Sequence, residues 1–191
     1  APQHDDSAAA TPAAVAFGLL LRESWDLARL ARRAEPPYRI VQFSSYDRRS
    51  REPDGPGWFS NADGFGGEEI PGFESVLRAP DAGGTGDYLI CEIDGPGAIV
   101  RGWSAGMGGT LRVWLDDAAQ PLWQGDAYSF LARRSEVWLR EAGLDLATGD
   151  AFVQQDADYL PVPFARRLRV SWEGRLADLH FYHLEVRRYS A

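Results

Sequence analysis

From residue 39 onward, short apolar runs alternate with turn-forming clusters. Segments 39–43, 88–93, 98–103, 110–115, 168–172 and 179–186 are brief and rich in β-branched and aromatic residues, a composition that fits strands. Asp94-Gly95-Pro96-Gly97, Asp116-Asp117 and Glu173-Gly174 separate several of them and carry the residue types that turns require. Upstream the pattern changes. Leu20, Trp25, Leu27, Leu30 and Ala31 fall near a helical repeat with Arg22, Glu23, Asp26, Arg29, Arg32 and Arg33 between them, which predicts a helix over 13–35. Arginines in its last turn suit the helix dipole, and Pro36-Pro37 ends it. Residues 1–12 are small and polar with nothing to bury, so they read as an arm, flexible or exchanged with a neighbouring subunit. At least six strands with long connections predict a mainly β protein, a single jelly-roll β-sandwich over 36–191 preceded by that helix and arm.

Composition narrows the chemistry. The chain has 191 residues, 45% of them hydrophobic, enough for one sizeable core, while Gly 20 and Pro 12 disfavour a helical bundle. All basic residues are arginine, so Schiff-base chemistry, a lysine phosphate loop and a lysine general base are excluded. A net charge of −8 argues against nucleic acid and against an anionic membrane surface, and favours neutral or cationic ligands. Cys91 is alone in an apolar run, so no intrachain disulfide forms and a buried thiol is expected. His4, His180, His183 and Cys91 lack the spacing of a zinc site, and neither a metal nor a cofactor is expected. The longest apolar stretch, 13–21, is too short to span a bilayer. The Ala-Pro-Gln start resembles a processed terminus, which gives an expectation of export to the periplasm or beyond.

The densest polar cluster is Ser44-Ser45-Tyr46-Asp47-Arg48-Arg49, followed by a Gly/Pro-rich loop carrying Trp58, Asn61 and Asp63. Carboxylates, amide and guanidinium can hydrogen-bond vicinal hydroxyls while an aromatic ring covers the apolar face of a sugar. The competing reading is that Asp47 and Arg48 cap a turn or pair with each other. A second cluster runs from Arg101-Gly102-Trp103 into a Gly-rich loop that matches no dinucleotide or phosphate fingerprint. Glycoside hydrolysis needs two carboxyl groups flanking the bond. Asp47, Asp63, Glu68, Glu69 and Glu92 are candidates by type, and sequence does not show which converge. No serine lies in a Gly-x-Ser-x-Gly elbow, which disfavours a Ser-His-Asp hydrolase.

Six motifs in order carry a resemblance: Ser44-Ser45-Tyr46-Asp47-Arg48; Trp58-Phe59-Ser60-Asn61-x-Asp63; Gly95-Pro96-Gly97-Ala98-Ile99-Val100-Arg101-x-Trp103; Leu111-Arg112-Val113-Trp114-Leu115-Asp116; Tyr159-Leu160-Pro161-Val162-Pro163-Phe164; and Phe181-Tyr182-His183-Leu184-Glu185-Val186-Arg187. Together they resemble glycoside hydrolase family 172, whose enzymes carry two jelly rolls; this chain resembles only the first. The resemblance implies trimer-based assembly, with itself or a homologous jelly-roll chain as partner, and a sugar pocket near a subunit interface. It also implies α-fructofuranoside or α-arabinofuranoside hydrolysis with retention, by two glutamates that lie in the second roll. Catalytic residues are therefore unassigned here, and Ser45, Tyr46, Asp47, Arg48, Trp58, Asn61, Asp63 and Trp103 are expected to bind carbohydrate. The alternative is a non-catalytic self-assembling structural or sugar-binding subunit.

Overall fold

The computed structural model describes residues 15–50, 52–60, 73–144, 151–179 and 181–190. Two antiparallel sheets face one another. One, sheet A, is ordered β1 (Tyr38–Ser44), β11 (Tyr182–Tyr189), β4 (Gly97–Ser104), β8 (Ala157–Asp158) and β7 (Val153–Gln154), with β9 (Val162–Phe164) also paired to β4. The other, sheet B, is ordered β2 (Ser75–Arg78), β3 (Thr85–Asp94), β10 (Arg167–Arg175), β5 (Thr110–Leu115) and β6 (Trp123–Asp126). From β1 through β3 and β4 to β5 the long strands pass from one sheet to the other, β10 then pairs between β3 and β5, and the last strand returns to lie between β1 and β4, a jelly-roll winding. All six strand segments expected from the sequence are present, except that the last begins at Tyr182. A 3-10 turn, Leu176–Asp178, precedes it, and Leu179 is buried in the core instead of extending the strand.

Period-2 alternation builds the interior. Along β11, Tyr182, Leu184 and Val186 point inward while His183, Glu185 and Arg187 are only partly covered. They meet Ile99 of β4 and, from sheet B, Tyr88, Ile90, Leu111, Val113, Leu168, Val170 and Trp172. Trp172 is fully buried, with the rings of Phe73 and Tyr88 each 5.5 Å away, and its Nε1 donates to the Gly108 carbonyl at 2.7 Å. On the opposite faces, sheet B presents many charged side chains, while sheet A carries an apolar patch around Ala98 and Tyr189.

The expected helix over 13–35 is a correction. Within the described part of that span it is a seven-residue helix, α1 (Phe17–Glu23), followed by a separate 3-10 turn, Leu27–Ala31. Leu20 docks against Ala98 and Tyr189 on the outer face of sheet A, with Val15 beside it and Glu23 bonded by Arg187, while Trp25, Leu27 and Leu30 are 63%, 75% and 85% exposed. Asp26 explains the break, because its side chain accepts from the Ala28 backbone N–H and starts a new turn there. The expected arm, 1–12, lies outside the described residues.

A second helix, α2 (Ala127–Glu141), was not anticipated. Asp126 caps it by accepting from the Ser129 N–H at 2.7 Å. Phe130 and Leu131 enter the core, and Gly102 of β4 lies so close to the Leu131 carbonyl that any side chain there would overlap it. The helix is pinned by Arg134, fully buried, which donates to the carbonyls of Leu160 (3.0 Å and 2.6 Å) and Asp158 (3.0 Å) and lies 3.6 Å from the Asp158 carboxylate. Asp158, equally buried, accepts from the Ser135 N–H (2.8 Å), the Ser135 hydroxyl (2.5 Å) and the Leu160 N–H (2.8 Å). Burial pulls the Arg134 guanidinium down to about 10, against the opposing pull of Asp158.

The Asp116-Asp117 turn forms with both residues in the left-handed region, φ 55° and 61°. Burial disfavours the Asp116 carboxylate, yet the N–H groups of Arg166, Ala165 and Arg167 outweigh it and hold the carboxyl below its ordinary range. No described helix is long and apolar enough to cross a membrane.

Candidate functional site

The three strands that carry the sequence-derived candidates end together. Ser44 of β1 lies opposite His183 of β11, and His183 lies opposite Trp103 of β4, so one register row spans the edge of sheet A. The Trp103 and His183 rings are 5.1 Å apart on the outer face, where side chains at paired positions share a side.

Past this row the chain leaves β1 as a compact tail. Ser45 continues the pairing: its N–H donates to the Tyr182 carbonyl and its hydroxyl accepts from the Tyr182 N–H, both at 3.2 Å. Asp47 is buried and takes three bonds from Arg49, from the backbone N–H and Nε at 3.0 Å and from Nη2 at 2.5 Å. Arg48 turns back to donate to the carbonyls of Ser44 (2.9 Å) and Tyr46 (3.2 Å) and to the Glu74 carboxylate (3.1 Å), with its guanidinium 3.8 Å from the Tyr46 ring centroid. The turn-capping alternative therefore describes the observed contacts of Asp47, with Arg49 and not Arg48 as its bidentate partner. Tyr46 remains exposed.

Trp58 joins this end through its loop. The Ser50 hydroxyl donates to the carbonyls of Gly57 and Ser60, at 3.1 Å and 2.7 Å, and the backbone at Gly57 lies against Arg49. Trp58 is 38% exposed. Asn61 and Asp63 lie outside the described residues, as do Glu68 and Glu69. Glu92 does not belong here: it is on sheet B, ion-paired to Arg167.

Several side chains beside this row were not anticipated. Glu185, one step along the outer face from His183, pairs with Arg101 at 3.0 Å, and the Arg101 guanidinium sits 5.9 Å from the Tyr159 ring centroid. Asp156 precedes the Ala157 that pairs with Trp103, and it accepts from the Tyr128 hydroxyl at 2.7 Å. That hydrogen bond is the main reason the Tyr128 phenol is held above its usual range. Nothing local in the sequence announces these pairs, since the partners stand 84 and 28 residues apart. Each described carboxylate around the row is engaged by a donor of its own: Asp47 by Arg49, Glu185 by Arg101 and Asp156 by Tyr128. This arrangement offers aromatic faces and fixed hydrogen-bonding groups suited to a polyhydroxylated ring. Among the described residues no three His, Cys, Asp or Glu side chains gather as a metal site.

A comparison with known families matches residues 36–191 to the GH172 first β-sandwich domain. The chain belongs to glycoside hydrolase family 172. The match begins just before β1 and takes in every described strand together with α2, while α1 and the turn after it lie upstream. A comparison with curated proteins gave no match. GH172 membership places this sandwich in a carbohydrate-active family, and the matched region is the family's first sandwich domain.

Proposed function

We propose that this GH172 domain binds an α-linked furanose, of the fructofuranoside or arabinofuranoside class, at the end of sheet A, and that the catalytic carboxylates are supplied by a second sandwich. The match to a first sandwich domain carries this reading. The engagement of Asp47, Glu185 and Asp156 by their own donors agrees with it, because a retaining glycosidase needs two carboxyl groups about 5–5.5 Å apart on either side of the bond. In this reading Trp103, backed by His183, supplies the apolar platform, the exposed rings of Tyr46 and Trp58 on the neighbouring segments add aromatic faces, and Arg48 keeps the β1 tail in place.

The test is release of 4-nitrophenol from 4-nitrophenyl α-arabinofuranoside and of fructose from an α-fructofuranoside. This chain alone is expected to release neither, and mixing or fusing it with a second GH172 sandwich domain is expected to give turnover. Turnover by this chain alone overturns the placement of the catalytic pair. Inactivity of a correctly folded two-sandwich protein on both furanosides overturns the substrate class.

A further inference from the structure

We propose that the outer face of sheet B, on the far side of the sandwich from the furanose site, is a docking cleft for a neutral polysaccharide chain. A cleft of about 630 Å³ lies there, within the roughly 300–1,000 Å³ range of ligand sites. It crosses β2, β3, β10 and β5, three strand spacings or about 14 Å, a span that suits several linked rings better than one. Ser171, at the centre of β10, is small and 2% exposed, so the cleft has a low floor between long side chains.

Two groups within it are poised for a ligand. Trp114 stands on the outer face opposite Arg169, whose guanidinium lies 5.9 Å from the ring centroid. Arg169 also lies opposite Glu92, but Glu92 is taken by Arg167. Among the described residues Arg169 therefore makes no ion pair, and its planar donors sit beside an aromatic platform. Around them the other charges are fixed: Glu173 bonds Arg112 and also pairs with Arg78 at 3.3 Å, and Arg167 bonds Glu92. Arginines and carboxylates held in such pairs keep spare N–H groups and lone pairs in set directions, so they can meet hydroxyls with little further loss of rotamer freedom.

Charge selects the ligand class. Four carboxylates line the cleft against three guanidinium groups, and the chain as a whole carries −8. A polyanion is disfavoured at such a surface, whereas a neutral chain of rings and hydroxyls meets no charge repulsion and can hydrogen-bond the charged groups it covers. This inference goes beyond the furanose reading and is tested separately, because its readout is polymer binding and requires no hydrolysis.

The experiment is affinity electrophoresis and calorimetry of the chain with soluble arabinan, inulin and pullulan as neutral probes and polygalacturonate as the anionic one. Retardation by at least one neutral polymer and not by polygalacturonate is expected. Trp114→Ala and Arg169→Gln are each expected to weaken that binding about tenfold, the loss appropriate to one aromatic or charge-assisted contact. Near-UV circular dichroism and thermal midpoint establish that each variant folds. Retardation by polygalacturonate alone, absence of retardation by every neutral polymer, or unchanged affinity in both folded variants overturns the proposal.

Discussion

Asp158→Ala is expected to destabilise the domain by about 3–5 kcal/mol, the usual penalty for stranding one member of a buried ion pair. Arg134 is fully buried and its charge is already disfavoured by burial. Removing the carboxylate takes away its acidic partner among the described residues and leaves the Ser135 and Leu160 N–H groups without their acceptor. Since a domain of this kind has only about 5–15 kcal/mol of stability in total, much of the unfolding midpoint should go. Urea titration followed by far-UV circular dichroism measures the shift. Asp158→Asn, which keeps one oxygen and so an acceptor for either the Ser135 or the Leu160 N–H, should lose less, and the double change Arg134→Met with Asp158→Leu should recover part of the loss by replacing the pair with apolar packing. Equal midpoints for wild type and Asp158→Ala would show that α2 is not held by this cluster.

Trp172→Ala should have a comparable cost, about 3–5 kcal/mol, because a large aromatic leaves a cavity that its neighbours only partly fill. Phe73 and Tyr88 stack on it from sheet B and the segment before it, and its Nε1 ties β10 to the loop carrying Gly108. Trp172→Phe keeps most of the volume and loses the hydrogen bond, so it should fall between wild type and alanine on the same urea titration. If phenylalanine proves as damaging as alanine, the bond to Gly108 outweighs the packing.

The strands and several turns were legible in the sequence because they obey local rules. Segments such as 110–115 are β-branched and aromatic with period-2 burial, and Asp116-Asp117 is turn chemistry wherever it occurs. Helix α2 was not legible for a physical reason: its inward face includes Arg134 and Ser135, which break the apolar stripe and make sense only beside Asp158, more than twenty residues downstream. Conversely, the apolar pattern of 13–35 promised a docked helix, but Asp26 splits it and most of its large side chains face outward. Trp103 and the 44–48 tail stood out in the sequence, and the pairing of β1, β11 and β4 brings them to one end of sheet A. The partners Glu185, Asp156, Tyr128 and Tyr159 come together only through cross-strand pairing and the placement of α2, which no local pattern encodes. The tail also shows how a motif can be noticed for one reason and built for another: the contacts of Asp47 and Ser45 shape the backbone that presents Tyr46.

The most direct measurement of the furanose reading is a titration of ¹⁵N-labelled chain with methyl α-arabinofuranoside and methyl α-fructofuranoside, following the indole N–H signals of its seven tryptophans, each assigned by a Trp→Phe variant. Saturable movement of the Trp103 signal with either ligand, with the signal of the buried Trp172 unmoved, is the predicted result. Saturable binding that leaves Trp103 unmoved, or no binding of either furanoside, would contradict it.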